Sequence, residues 1–410
     1  MNKFDKICFY PADILLPKGV EMEKWSVVAC DQYTSQPEYW DAVRREVGDA
    51  PSTLKMILPE AELEQAAPAA ARKEMERYLS EGLFETLPHS FIYLQRTQSD
   101  GKLREGLIGA LDLECYDYRK GSSTLCRATE GTVEERLPPR IRVREGAPLE
   151  LPHIMILIDD PEKTVIEPLM EQCQNKAPIY DFSLMQGGGH IKGYQITAEN
   201  SDGIASALDA LKGEGTHPLL YAVGDGNHSL ATAKAIYAKL KERLGEDALC
   251  HPARYCLVEL VNIHSPALTF EPIHRVVFDT DLSDLTAFLE KEGLEQGTKG
   301  EQEIKVVCKG QKTAYSFTKT TSALAVGTLQ NALDSYLSAH AGRVDYIHGE
   351  DVVEQLTAKG DAVGFILPPM EKGMLFPAVA EDGALPRKTF SMGHAADKRF
   401  YLECRKIVKE

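Results

Sequence analysis

No apolar run in the sequence approaches the length needed to cross a bilayer. That excludes a helical membrane protein. The opening residues, MNKFDKICFYPADILLPKGV, carry charge and proline in place of a continuous apolar stretch, so no secretory leader is expected. An excess of positive charge is also missing: 46 Lys and Arg stand against 62 Asp and Glu, a formal net charge of −16. Nonspecific nucleic-acid binding runs on phosphate neutralisation by a basic surface, so nucleic acid is not an expected partner. No two cysteines form C-x-x-C. The nine that occur (Cys8, Cys30, Cys115, Cys126, Cys173, Cys250, Cys256, Cys308, Cys404) are odd in number and scattered. This argues against a zinc ribbon or a disulfide framework and for a reduced, cytoplasmic setting. Internal repeats and low-complexity tracts are absent too.

What remains is the composition of a soluble globular protein, 43% hydrophobic and 26% charged. At 410 residues the chain has room for two or three domains, each with its own core.

The most informative stretch is Leu219–Leu244, LLYAVGDGNHSLATAKAIYAKLKERL. Leu219 to Val223 has the length and composition of a buried strand. Gly224-Asp225-Gly226-Asn227 breaks it with strong turn chemistry. Leu230, Ala233, Tyr237, Leu240 and Leu244 then recur at helical spacing and give one apolar face. The expectation is a strand, a tight turn and a long helix, with Asp225 or Asn227 as its N-cap. Such a helix start presents unpaired N–H groups and a positive dipole end, and Gly224 and Gly226 let an anion approach the backbone. His228 and Ser229 add donors on the first turn. Any strand–helix connection needs a glycine and a cap, so a plain turn fits the spacing as well. Neither the Walker spacing nor the Rossmann fingerprint is present.

A second anomaly is Arg127–Arg144, which holds five arginines (127, 136, 140, 142 and 144) in an acidic protein. Arginine forks match phosphate geometry, which would make the segment an anion pocket. The alternative is a solvated loop and helix whose arginines pair with Glu130, Glu134 and Glu135. Asp31, after the apolar run Trp25–Cys30, is an acid, a metal ligand or a cap.

Elsewhere, strands are expected over Ser90–Arg96 and Arg104–Leu113, joined through a hairpin turn at Ser99–Lys102, and over Ile154–Ile158 and Tyr255–Val261. Trp25–Tyr33 reads as a short strand running into a polar turn. Helices are expected over Pro59–Leu83, Glu162–Cys173 and Ile204–Leu211. Pro178–Thr197 reads as a hairpin around Gly187-Gly188-Gly189-His190. Beyond Leu282 come a helix, a ribbon at Lys309–Lys312, a helix over Leu329–Ala339 and a β-α-β unit from Val344 to Leu367.

The Asp225–Ser229 turn resembles the DGHHR turn of a family of bacterial proteins known as domain of unknown function 1015. The arginine segment, VELVNIHSPALTFEPIHRVV after the long helix and the terminal LPRKTF belong to the same likeness. Asn227 stands for the family's first His and Ser229 for its Arg, which removes a bidentate phosphate contact. That family is similar in turn to the ParB/sulfiredoxin-like superfamily, which includes partition proteins, sulfiredoxins and free-serine kinases. The resemblance implies an α+β (mixed α/β) fold: residues 1–280 as a ParB/sulfiredoxin-like region with N-terminal elaboration, and 281–410 as a smaller C-terminal α/β domain.

It further implies a phosphotransfer enzyme with ATP, ADP or pyrophosphate as donor and a small hydroxyl metabolite as acceptor. In that reading Asp225 is an acid or Mg²⁺ ligand and His228 a second catalytic group. Gly224, Gly226, Asn227, Ser229, Arg127, Arg136, Arg140 and Lys388 would bind phosphate. Arg127, Arg136 and Arg140 would make up the charge lost at Ser229. His274 and Arg275 match a family T-H-R, and Asp31 a family segment near the site. A nucleotide-binding regulatory module and a non-catalytic descendant are the competing classes; turnover separates the first class from both.

Overall fold

The computed structural model describes residues 2–34, 36–63, 68–132, 134–213, 218–386 and 388–409. The fold is mixed α/β, as expected, and divides into two compact units. The first holds residues 1–128, 132–268 and 394–410; the second holds 129–131 and 269–393. The sequence reading placed one boundary at 280/281. The chain instead leaves the first unit after Leu268, and its last residues rejoin that unit from His394.

The first unit is built on a sheet that has eleven strands among the described residues. Its central path runs from Phe84–Thr97 to Leu103–Asp112, Tyr255–Asn262, Met155–Ile158, Tyr221–Asp225 and Cys126–Ala128. Side chains alternate across it. Phe91, Tyr93, Leu107 and Val258 enter one core, while Ile92, Leu94, Ile108 and Leu257 enter another. A sheet covered on both faces needs stretches that are apolar on both sides, which is why Phe91–Leu94 and Met155–Ile158 read as unbroken apolar runs. The hairpin at Ser99–Lys102 closes as expected, with the Gln98 N–H donating to the Lys102 carbonyl at 2.8 Å. Tyr180–Ser183 and His190–Thr197 also pair antiparallel, Ser183 opposite His190.

The C-terminal segment is stitched into this unit. Phe400–Tyr401 pairs with Val27–Val28, and Arg405–Lys406 pairs with Leu149–Glu150. Trp25 Nε1 donates to the Leu402 carbonyl (2.9 Å) and Ser26 Oγ to the Tyr401 carbonyl (2.8 Å). A buried ion group fixes the same segment: Glu259 meets Arg104 at 3.1 Å and Arg399 at 2.8 Å, and Arg399 also binds Glu403.

Trp25–Tyr33 holds the expected short strand, Val27–Val28, running into a turn, and Trp25 itself closes the short helix Met22–Trp25. Three local expectations are corrected. The Glu162–Cys173 helix shrinks to Leu169–Cys173, because the Asp160 carboxylate takes the Thr164 and Val165 N–H groups in a turn. The Pro59–Leu83 helix appears as a turn at Glu60–Glu62 and a helix Pro68–Ser80; residues 64–67 lie outside the described residues, as do Val133 and Arg387. Finally, Cys8 and Cys115 form a disulfide across 107 positions, where scattered spacing had pointed to reduced thiols.

The second unit carries a sheet of seven described strands. Phe270–Phe278 pairs antiparallel with both Arg343–His348 and Ala362–Ile366, the two strands of the expected β-α-β unit. Glu350–Thr357 is the helix between them.

Candidate active site at the start of the long helix

The expected strand and helix form as Tyr221–Asp225 and Asn227–Leu244. Their junction depends on two glycines. The pairing with Met155–Ile158 shifts register between Val223 and Asp225, and a Cβ on Gly224 would lie 2.8 Å from the Leu157 side chain. Gly226 sits at φ +80°, and its Cβ would lie 3.1 Å from the Ile154 backbone. Left-handed backbone with no room for a side chain requires glycine.

Gly226, rather than Asp225 or Asn227, is the N-cap, and no side chain caps the helix there. The left-handed turn carries the Asp225 carboxylate elsewhere: its Oδ2 faces Lys398 Nζ at 3.4 Å and accepts no hydrogen bond among the described residues. His228 follows on the first turn. Its Nε2 is buried and has no hydrogen-bond partner among the described residues. Burial, helped by the charges of Arg140 and Arg136, depresses the His228 pKa below its ordinary value against the opposing pull of Glu60 and Asp31. The ring is therefore neutral at pH 7.

Ser229 Oγ lies 3.1 Å from His153 Nε2. His153 is buried, and its Nδ1 lies 2.7 Å from the Tyr401 hydroxyl. That hydroxyl donates to Cys30 Sγ (3.0 Å) and accepts the Cys30 N–H (3.3 Å). Asp31 Oδ2 stands 4.0 Å from His153 Nε2, and Gln32 Nε2 donates to its other oxygen at 3.0 Å. Burial alone would raise the Asp31 pKa; His153, the Gln32 amide and Lys398 outweigh it and hold the carboxyl below its ordinary value. Burial, with Asp31 beside it, pushes the Cys30 thiol up to about 12, so the thiol stays protonated.

The arginine segment divides. Leu137–Arg144 is a helix packed against the long helix. Arg140 donates to Glu60 Oε1 at 2.6 Å and to the Arg136 carbonyl at 2.8 Å, within electrostatic reach of His228. The Glu60 N–H in turn binds the Cys30 carbonyl, which ties the loop carrying Asp31 to this helix. Arg144 instead belongs to a buried group with Glu150 and Arg405. Arg127 lies on the strand beside Ala222, with its Nε on the Thr124 carbonyl.

The first unit thus brings together Asp31, Arg136, Arg140 and the Gly224–Ser229 turn. Lys388, His274 and Arg275 belong to the second unit. There Arg275 donates to Gln330 Oε1 (3.1 Å) and to the Lys388 carbonyl (3.0 Å), and His274 Nδ1 accepts the Leu367 N–H (3.2 Å). Sequence reading missed Cys30, His153, Lys398 and Tyr401. Cys30 lies beside Asp31 in the segment already singled out but was given no role; His153, Lys398 and Tyr401 sit in no motif, and Lys398 and Tyr401 arrive on the C-terminal segment.

For a divalent metal the donors do not fit a resident ion. Among the described residues no group of three or more His, Cys, Asp or Glu is placed to hold a metal ion, and Asp225 faces an ammonium. No helix among the described residues is long and apolar enough to cross a membrane.

The family described as "Protein of unknown function (DUF1015)" has a model that matches residues 14–336. None of the curated proteins matches the chain. Among solved structures, a free serine kinase in complex with AMP is similar at 14% identity and a TM-score of 0.39, over 73% of this chain and 91% of that one. A mutant free serine kinase in complex with ADP gives 13%, 0.40, 75% and 93%. SbnI with C-terminal truncation from Staphylococcus aureus gives 13%, 0.37, 70% and 82%. At these values the likeness bears on no residue of this chain.

Proposed function

The chain belongs to the DUF1015 family, and we propose that it binds a nucleotide or pyrophosphate at the Asp225–Ser229 turn and transfers a phosphoryl group to a small hydroxyl metabolite. The observation that carries this reading is His228: a buried ring nitrogen without a partner, on the first turn of a long helix, with two arginines close enough to depress its pKa. A buried polar atom left unmatched costs about 1–3 kcal/mol, so a ligand that satisfies it is favoured. Helix N–H groups and the positive dipole end favour an anionic ligand.

Each residue then has a task. The helix start and a neutral His228 hydrogen-bond phosphate oxygens. Arg140 and Arg136 offset the charge of the phosphate, in place of the Arg that the resembled turn carries where this chain has Ser229. Lys398, beside Asp225, adds a point charge that can turn from the carboxylate to a phosphate. Asp31, kept ionised, orients or deprotonates an acceptor hydroxyl. The resemblance to the ParB/sulfiredoxin-like superfamily and its serine kinases supports an acceptor such as free serine; it is an analogy of fold.

Titration calorimetry with ATP, ADP and pyrophosphate, each with and without Mg²⁺, tests the binding. His228→Ala should weaken the tightest of these by about 1–3 kcal/mol. Equal affinity in wild type and variant would remove the site. Binding with no phosphoryl transfer in a product assay would make the protein a nucleotide-binding regulator instead.

A further inference from the structure

Ser229 replaces a family arginine, and the structure gives it a partner that an arginine would not need. We infer that Ser229 is a covalent phosphoryl acceptor, with His153 as its general base. This rests on the phosphate-binding reading of the turn.

Four observations carry it. Ser229 is half-buried at the helix start, and its Oγ is 3.1 Å from His153 Nε2, the separation of a nucleophile and its base. The tautomer of His153 is set from behind. We assign the Tyr401 hydroxyl hydrogen to Cys30 Sγ, which leaves the ring N–H to donate across the 2.7 Å contact between His153 Nδ1 and the phenol oxygen. Nε2 then carries the lone pair and accepts the Ser229 proton. Asp31, 4.0 Å from Nε2, stabilises the imidazolium that forms. The chain of Ser229, His153, Tyr401 and Cys30 thus repeats the order of nucleophile, base and orienting group found in hydroxyl-activating sites.

The step balances without any outside redox partner. Ser229 Oγ attacks the terminal phosphorus of a nucleoside triphosphate, a nucleoside diphosphate or pyrophosphate. The Oγ–P bond forms as the P–O bond to the bridging oxygen breaks, and that oxygen leaves with the electron pair on the shortened donor. The Oγ proton passes to His153 Nε2. Developing charge falls where the helix N–H groups converge. Tyr401 is a positioning residue here; it touches neither donor nor phosphorus.

The test uses the full-length protein incubated with ATP, ADP or pyrophosphate, followed by intact mass and peptide mapping, with calorimetry on the same samples. The expected result is one added phosphoryl group on Ser229, lost in Ser229→Ala. His153→Gln should label at least about 100-fold more slowly, the lower end of what a positioned base contributes. Tyr401→Phe serves as a second variant in case His153→Gln fails to fold: without the phenol oxygen, the pH profile of labelling should move. A wild type that binds a donor and stays unlabelled at Ser229 overturns the inference and leaves the binding reading standing. A wild type that binds none of the three donors overturns both.

Discussion

The Nδ1 of His153 and the phenol oxygen of Tyr401 lie 2.7 Å apart although 248 positions separate them in the chain. Tyr401 reaches His153 because the C-terminal segment is folded into the first unit, through the strand pair with Val27–Val28 and the buried Glu259–Arg399 contact. The candidate site is therefore only as stable as that attachment.

Glu259 tests the attachment. Burial would raise its pKa, but Arg104 and Arg399 dominate and hold it below 4.5. A carboxylate with a depressed folded pKa contributes stability that is present above its unfolded pKa and lost as the pH falls through the folded value. Glu259→Gln leaves two buried guanidinium groups under-compensated and should cost about 3–5 kcal/mol at neutral pH in urea unfolding. The gap between wild type and variant should narrow in acid. A constant gap down through the acid range would mean that the group contributes packing and no charge pairing.

The neutral state of His228 predicts how ligand binding follows pH. Its pKa is depressed below 6.5 in the free protein, and a bound phosphate would raise it. Affinity for pyrophosphate should therefore increase as the pH is lowered below about 6.5, where the ring gains a proton on binding. His228→Gln should abolish that increase. Calorimetry in two buffers of different ionisation enthalpy reads the proton uptake directly, and no uptake in wild type would contradict the assignment.

Ser229→Arg introduces the residue that the resembled turn carries at this position. A full charge added beside the helix start should tighten pyrophosphate binding by about tenfold, or ~1.4 kcal/mol, and steepen its salt dependence. Titrations at two salt concentrations measure both. Loss of binding would instead show that Asn227 and Ser229 read a neutral polar group, and an unchanged affinity would reduce the turn to a helix start alone.

Two glycines should respond with opposite sign. Gly226→Ala places a Cβ at φ +80°, 3.1 Å from the Ile154 backbone, and should destabilise by about 1–3 kcal/mol. Gly203, in the helix Asp202–Leu211, has ordinary φ and open space around it, so Gly203→Ala should stabilise by about 0.4–1 kcal/mol. Urea unfolding of the two variants provides the comparison. A neutral Gly226→Ala would show that the turn relaxes freely.

Much of this was legible in the sequence because it is local. Apolar runs bounded by turn residues marked most strands of the central sheet, though not Cys126–Ala128, and helical spacing marked Asn227–Leu244, since both patterns follow from the backbone's own periodicity. Turn chemistry located the Gly224–Ser229 junction. The cap was misassigned because choosing Gly226 over Asp225 depends on a left-handed turn held against Ile154, the residue just before the strand Met155–Ile158. Asp31, Arg136 and Arg140 could be nominated by residue type, yet their partners could not. Cys30, His153, Lys398 and Tyr401 were invisible for the same reason: contacts between residues hundreds of positions apart are set by sheet order and by which buried charges must meet. Only the tertiary structure decides those, because desolvating Arg399 is tolerable only where Glu259 and Glu403 stand ready to receive it.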